Sequence, residues 1–104
     1  MLSSIKIAVC DVFEAKEIAR KLVENRLAAS SHIIPIDSVY RWEDGIIKNK
    51  EYIIEVLTIS GLFDEINKCI CDISSYKLTE VVEISNIVTS KEVKDWIMES
   101  VKKK

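Results

Sequence analysis

The chain has 104 residues, enough for one domain (residues 1–104) with its own hydrophobic core. Hydrophobic residues make up 48% and charged residues 31%, a balance typical of globular proteins rather than of disordered chains. With a net charge of -2, the chain lacks the positive surface potential of a general nucleic-acid binder. Glycine and proline are scarce, which predicts long secondary-structure elements joined by short loops.

The first two predicted elements are a strand and an amphipathic helix. Ile5, Ile7 and Val9 alternate along the chain, which predicts a largely buried strand. A helix is predicted from Glu14 to Ala28, because its apolar residues fall on one face and its charged residues on the other. Asp11 precedes Glu14 by three residues, the spacing of a capping box at the helix start.

A long β-hairpin is predicted next. The outgoing strand extends from Ser31 to Glu43 and contains Pro35, which cannot donate to a ladder and so predicts an edge strand or a bulge. Asp44-Gly45 predicts the turn, and the return strand extends from Ile46 to Ile59. Both strands exceed the usual length of about 5–6 residues. Part of the hairpin is therefore expected to project beyond the domain.

Three further elements complete the chain. Ser60 is predicted to cap a helix that continues to Ser74, and Val81 to Val88 is predicted to form a fourth strand. Thr89, three residues before Glu92, predicts the start of a last helix, which ends in a solvated basic run at residues 102–104. The order β-α-β-β-α-β plus a C-terminal helix predicts an α+β, ferredoxin-like fold. Isoleucine and valine on both faces of the strands indicate that the second face of the sheet is covered too, and a partner subunit is one element that could cover it.

The cysteines and the N-terminus indicate the compartment. Three cysteines lack the spacing of a disulfide framework, which favours free thiols in a reducing cytosol. Residues 1–12 show no cleavable signal, and no stretch approaches the roughly 20 apolar residues of a membrane span. The sequence therefore predicts a cytoplasmic protein that engages neither membranes nor nucleic acid.

Few residues carry the patterns of a catalytic or metal site. Cys69 and Cys71 would point about 200° apart on a helix, so they cannot readily share a metal. His32, the only histidine, is predicted to be a partly buried structural residue; a metal-ligand role shared among symmetric copies is the alternative. No Gly-rich phosphate loop or nucleophile–base arrangement is evident, which argues against an enzyme. Glu51 and Glu80 are the carboxylates most indicative of a functional role.

Two stretches and several single positions carry a family resemblance. One stretch runs from Ala15 to Ala29, and the other, from Ile34 to Glu43, contains Pro35, Tyr40 and Trp42. The single positions are Glu51, Thr58, Tyr76, Thr79, Glu80 and Trp96. On these residues the chain resembles the CutA divalent-cation-tolerance family over nearly its whole length. The run from Leu27 to Trp42 is the most specific part.

The resemblance implies a homotrimer whose long hairpins pair between subunits. It also implies a non-enzymatic role in the response to divalent metal ions, with a divalent cation or a small anion as the bound partner and no certain cofactor. Clefts between subunits would be the ligand sites. The resemblance assigns to these clefts Tyr40, Trp42, Glu51, Thr58, Tyr76 and Glu80.

The chain departs from the family where metal ligands would matter. Ser30 stands where the family commonly has cysteine, Leu57 where it has lysine, and Ser74 where it has the histidine of a His-Pro-Tyr motif. Soft and imidazole ligands that favour copper are therefore missing at these positions, and the metal stays unassigned. Two alternatives remain open: a PII-like trimeric module that binds a nucleotide or small effector, and an enzyme that uses Glu51 and Glu80 across subunits.

Overall fold

The computed structural model describes residues 1–102, which form a four-stranded antiparallel sheet and three helices. The sheet order is β2-β3-β1-β4, which confirms the predicted ferredoxin-like α+β fold. Lys103 and Lys104 of the predicted basic run lie outside the described residues. In chain order the elements are β1 (Leu2–Val9), α1 (Val12–Glu24), β2 (Ser30–Trp42), β3 (Gly45–Ile59), α2 (Phe63–Cys71), β4 (Glu80–Ser85) and α3 (Lys91–Ser100).

The hydrophobic core lies between the helices and one face of the sheet. Across the β1–β3 pair, Ile5 faces Val56 and Ile7 faces Ile54, and all four side chains are buried. The helices cover them with residues at helical spacing, because positions three or four apart share one face. These helix residues are Ala15, Ile18 and Leu22 of α1, Ile66 and Ile70 of α2, and Ile97 of α3.

Asp11 caps helix α1 as predicted, but the helix begins at Val12 rather than Glu14 and ends earlier than predicted. The Asp11 carboxylate accepts a hydrogen bond from the Glu14 amide (3.3 Å), which satisfies one free N–H of the first turn. At the other end Arg26 takes a left-handed conformation (φ 58°), and the Leu27 amide donates back to the Leu22 carbonyl (2.9 Å). This is the Schellman pattern of a helix stop. The predicted continuation to Ala28 is therefore wrong.

Four other predicted boundaries are also wrong. Ser60 does not cap α2: its hydroxyl is hydrogen-bonded to that of Ser3 (2.9 Å), and Leu62 occupies the cap position. The same helix ends at Cys71 rather than at Ser74. Helix α3 is capped by Ser90, one residue after the predicted Thr89, through the Val93 amide (3.3 Å). Strand β4 ends at Ser85 rather than Val88, because Asn86 turns into a left-handed conformation.

The β2–β3 hairpin projects from the sheet as predicted. Strand β1 pairs with β3 only as far as the Val9–Tyr52 pair, so residues 36–51 form a two-stranded arm, and the molecule measures 45 × 24 × 20 Å. Pro35 lies on edge strand β2 without a break in register, so a bulge is not needed. The turn is Glu43-Asp44, with Glu43 at φ 55°, one residue before the predicted Asp44-Gly45.

The sheet face opposite the helices is uncovered in the single chain, and exposed apolar side chains lie on it beside Lys6, His32 and Glu55. Strand register places Ile34, Ile53, Val82 and Ile84 on this face. Val82 and Ile84 keep 43% and 47% of their surface exposed. We call this surface the open face. Clustered exposed apolar side chains are typical of an interaction surface.

The Asp11 cap leads to a stability prediction. Asp11→Ala removes the side-chain acceptor at the start of α1 and should lower the free energy of unfolding by about 1 kcal/mol. Urea unfolding at one fixed protein concentration measures the change. Asp95→Ala, which removes only an exposed ion pair with Lys91, serves as the control and should change stability by less than about 0.5 kcal/mol. Equal effects of the two substitutions would contradict the capping role.

Candidate functional site

A pocket of about 330 Å³ opens where the projecting arm meets the main sheet. Its floor comes from the open face of the sheet, because Ala8, Tyr40 and Glu51 share that face through the strand register. Its other wall is the connection between α2 and β4. The lining residues are Ala8, Tyr40, Trp42, Glu51, Ser75, Tyr76, Lys77, Leu78 and Glu80.

A carboxylate–phenol pair lies at the centre of this pocket. Glu51 is only 6% exposed, and its Oε2 accepts a short hydrogen bond from the Tyr76 hydroxyl. That hydroxyl in turn accepts a hydrogen bond from Asn49 Nδ2 (3.3 Å). Burial, followed by the hydrogen bond to Glu51 and the nearby Tyr40, raises the pKa of Tyr76 well above its usual range. Tyr76 therefore remains a protonated donor across the physiological range.

Contacts to α1 and to the residue that follows β1 hold the α2–β4 connection in place. The Ser75 amide donates to Glu14 Oε1 (2.9 Å), and the Ser75 hydroxyl lies 3.6 Å from the Cys10 sulfur. Within the connection, the Thr79 hydroxyl donates to Ser74 Oγ (2.8 Å). Glu14 was predicted to complete a capping box, but its carboxylate serves this long-range contact instead. These bonds fix Tyr76 opposite Glu51.

Five of the six residues that the resemblance assigned to a cleft line this pocket, and Thr58 does not. Thr58 lies on the opposite, helix-facing side of β3, where its buried hydroxyl donates to the Leu27 carbonyl (2.6 Å). The sequence interpretation also missed Asn49 and Lys77. Asn49 could have been found, because it lies two residues from Glu51 on the same strand and so shares its face.

The residues considered as metal ligands do not converge. His32 is exposed on β2, so the prediction of a partly buried structural histidine is wrong for the single chain. Cys69 is half-buried, which raises the pKa of its thiol, whereas Cys71 is exposed. Within residues 1–102 no three His, Cys, Asp or Glu side chains are placed to hold a metal ion. The donor set of one chain therefore does not fit a resident metal.

The helices of residues 1–102 are also too short and too polar to cross a bilayer. The longest, α1, has 13 residues, whereas a spanning helix needs about 20.

Comparison with known proteins identifies the family. The sheet order and helix placement define a ferredoxin-like α+β protein, and a family model described as "CutA1 divalent ion tolerance protein" matches residues 4–100. The divalent-cation tolerance protein CutA of Archaeoglobus fulgidus is 35% identical over 101 residues, covering 97% of this chain and 99% of that protein. The chain belongs to the CutA1 divalent-ion-tolerance family.

Further relatives agree with this assignment. The divalent-cation tolerance protein CutA of Thermus thermophilus is 31% identical over 87 residues, covering 83% of this chain and 84% of that protein. The solved structure of the Archaeoglobus fulgidus periplasmic divalent cation tolerance protein CutA has a TM-score of 0.94 at 34% identity, covering 98% of this chain and 100% of that one. The Thermus thermophilus structure has a TM-score of 0.92 at 29% identity, with the same coverage.

The raised pKa of Tyr76 predicts a pH-dependent stability. The folded chain holds the Tyr76 proton more tightly than the unfolded chain, in which a tyrosine has a pKa of about 10. The contribution is therefore complete below about pH 10 and is lost as the pH rises above that value towards the folded pKa. Tyr76→Phe should be less stable at neutral pH and should lose this part of the alkaline decline.

Urea unfolding between about pH 7 and pH 11 measures this difference. Tyr52→Phe is the control, because Tyr52 lies on the same strand as Glu51 but outside the pocket. It should keep the alkaline decline of the wild-type protein. If Tyr76→Phe and the wild-type protein lose stability in parallel in the alkaline range, the Glu51–Tyr76 interaction does not have the assigned role.

Thr58 is predicted to stabilise the fold. Thr58→Val keeps the side-chain shape but leaves the Leu27 carbonyl without its donor, which should lower the free energy of unfolding by about 1–2 kcal/mol. The matched control is Thr89→Val, since the Thr89 hydroxyl makes a solvent-exposed bond to the Ser90 carbonyl (2.9 Å). That variant should stay within about 0.5 kcal/mol of the wild-type protein. Chemical denaturation measures the free energy of unfolding of each variant. Equal stabilities of Thr58→Val and Thr89→Val would contradict the stabilising role of Thr58.

Proposed function

We propose that this chain acts as a non-enzymatic homotrimer in divalent-cation tolerance, with its ligand pockets next to the subunit interfaces. The observation that carries the proposal is the open face, where Val82 and Ile84 are exposed beside other apolar side chains. Burial of such a face typically contributes about 25 cal/mol for each Å² removed from water. A second copy of the chain offers the same apolar chemistry, which supports self-association.

The projecting arm supports pairing between copies. Strand β2 lies at the edge of the sheet over its full 13 residues, and residues 36–51 extend beyond β1. An edge of this length presents unpaired backbone groups, which proteins usually cover. Pairing through the arm would cover this edge and bring a neighbouring subunit close to the pocket at the base of the arm.

The pocket chemistry supports binding rather than catalysis. Its phenol, Tyr76, is held protonated and donates to Glu51, so neither group is poised as a nucleophile or a free base. The family match supports a role in divalent-cation tolerance and does not favour a PII-like module. We place the protein in the cytosol because its three cysteines are free thiols.

Light scattering coupled to size-exclusion chromatography tests the assembly. The wild-type protein should elute at three times the 11.9 kDa chain mass. Val82→Glu should yield smaller species, because desolvating the new carboxylate at the open face costs more than its cross-strand neighbour Lys6 recovers. Val23→Glu is the matched control, since Val23 is 42% exposed on α1 against 43% for Val82. A monomeric wild-type protein, or equal masses for the two variants, would reject the trimer.

Growth on graded copper, zinc and cobalt salts tests the cellular role. In cells that lack their own CutA-family protein, the wild-type chain and Val23→Glu should raise the tolerated cation concentration. Val82→Glu should not, because the proposal requires the assembled form. Growth indistinguishable from cells with an empty vector would count against the role in cation tolerance.

A further inference from the structure

The buried carboxylate of Glu51 lacks a cationic partner. It is only 6% exposed, and its Oε2 accepts the Tyr76 hydroxyl; its Oε1 is not among the fully buried atoms without a partner in residues 1–102 and so still reaches solvent. The ion pairs among residues 1–102 do not include Glu51. A buried charge without a counter-charge is costly, and a neutral phenol compensates it only in part. The site is therefore suited to a positive charge supplied from outside the chain.

The rest of the pocket indicates what kind of cation fits. Three aromatic side chains, Tyr40, Trp42 and Tyr76, line the same space as Glu51. Aromatic ring faces attract ammonium groups as well as apolar groups. Glu80 and Lys77 also line the pocket, so its charged residues sum to -1. The volume of about 330 Å³ lies at the small end of the roughly 300–1,000 Å³ typical of organic-ligand sites.

The same features disfavour a bare metal ion and an anion. Calcium takes six to eight oxygen ligands and magnesium needs an octahedral set, but the pocket offers only two carboxylates, and one of them is already hydrogen-bonded to Tyr76. An anion would approach Glu51 and Glu80 with only Lys77 to offset their repulsion. A monovalent cation with an apolar body satisfies both the charge and the aromatic lining.

We infer that this pocket binds a small organic ammonium ion, with the cationic head between Glu51 and Glu80 and the apolar body against Tyr40 and Trp42. This inference rests on the proposed function in taking the pocket as its ligand site. The ligand class, however, follows from side chains of one chain, which already line the pocket without a neighbour.

Choline and its uncharged carbon isostere, 3,3-dimethylbutan-1-ol, form the central comparison. Titration in phosphate buffer is followed by tryptophan fluorescence in a Trp96→Phe background, so that Trp42 is the only reporter. Calorimetry on the wild-type protein gives the affinities independently. Choline should bind at least about tenfold more tightly than the alcohol, because the shape is shared and only the charge differs.

Two carboxamide variants locate the binding charge. Glu51→Gln should weaken choline binding at least about tenfold while leaving alcohol binding unchanged, since it removes the buried charge and keeps the side-chain size. Glu55→Gln is the matched control: Glu55 lies on the same face of the same strand but outside the pocket, and choline affinity should be retained. Circular dichroism confirms that both variants are folded.

Several results would overturn the inference. One is equal affinity for choline and the alcohol, and another is an equal loss of choline affinity in Glu51→Gln and Glu55→Gln. A third is the absence of choline binding at concentrations up to about 10 mM, tenfold above the Kd of about 1 mM of a weak site. Binding of magnesium, copper or acetate in place of choline would also reject it.

Mass measurements on the same samples separate the two proposals. A trimer that fails to bind choline would reject the ligand class and leave the assembly intact. A monomer that binds choline through Glu51 would reject the trimer and leave the pocket assignment intact.

Discussion

The unbroken antiparallel register between β2 and β3 is the constraint on which the rest of the structure depends. It runs from the Ser30–Leu57 pair to the Trp42–Gly45 pair without a bulge. Because side chains alternate between faces, this register places Tyr40, Trp42 and Glu51 on the same side of the arm. Because β1 holds β3 in place, a slip of one residue would turn Tyr40 and Trp42 to the side of the arm opposite Glu51 and dismantle the pocket.

The pocket combines this rigid strand surface with a connection that is held by long-range contacts. The arm extends beyond β1, so no strand of the main sheet flanks Glu51 on that side. The α2–β4 connection fills this space with Tyr76, and the Ser75 amide is bonded to Glu14 at the start of α1. The same helix start is therefore stabilised by Asp11 and used, through Glu14, to position a pocket wall. The first turn of α1 therefore links the stability of this helix to the geometry of the pocket.

The sequence predicted the elements well because their periodicities are local. Alternation identified β1 and the hairpin, and the acceptor at Asp11 identified the start of α1. Element ends were less predictable, because they depend on backbone conformation: the left-handed Arg26 ends α1 although no glycine marks that position. Ser60 was assigned as a cap from residue type, whereas its actual partner, Ser3, is 57 residues away in sequence.

The candidate site was predictable in part for the same reason. Parity alone relates Tyr40, Trp42 and Glu51 once the hairpin register is known, and it also separates Thr58 from Glu51, because the two have opposite parity on β3. The resemblance grouped them nonetheless. The approach of Tyr76 to Glu51 could not be derived from spacing, since it depends on the bond between Ser75 and Glu14, 61 residues apart.

Pro35 affects how readily a further β-strand can add to the edge of this sheet. Strand β2 presents a 13-residue edge, and the sixth position along it has no amide hydrogen to offer. A foreign strand that adds to this edge loses one ladder bond near the middle of the overlap, whatever its own sequence. Edges of this length otherwise seed fibrous aggregates, and an internal proline is one device that opposes them. The proline that marks the hairpin as an edge therefore also protects the single chain against the addition of foreign strands.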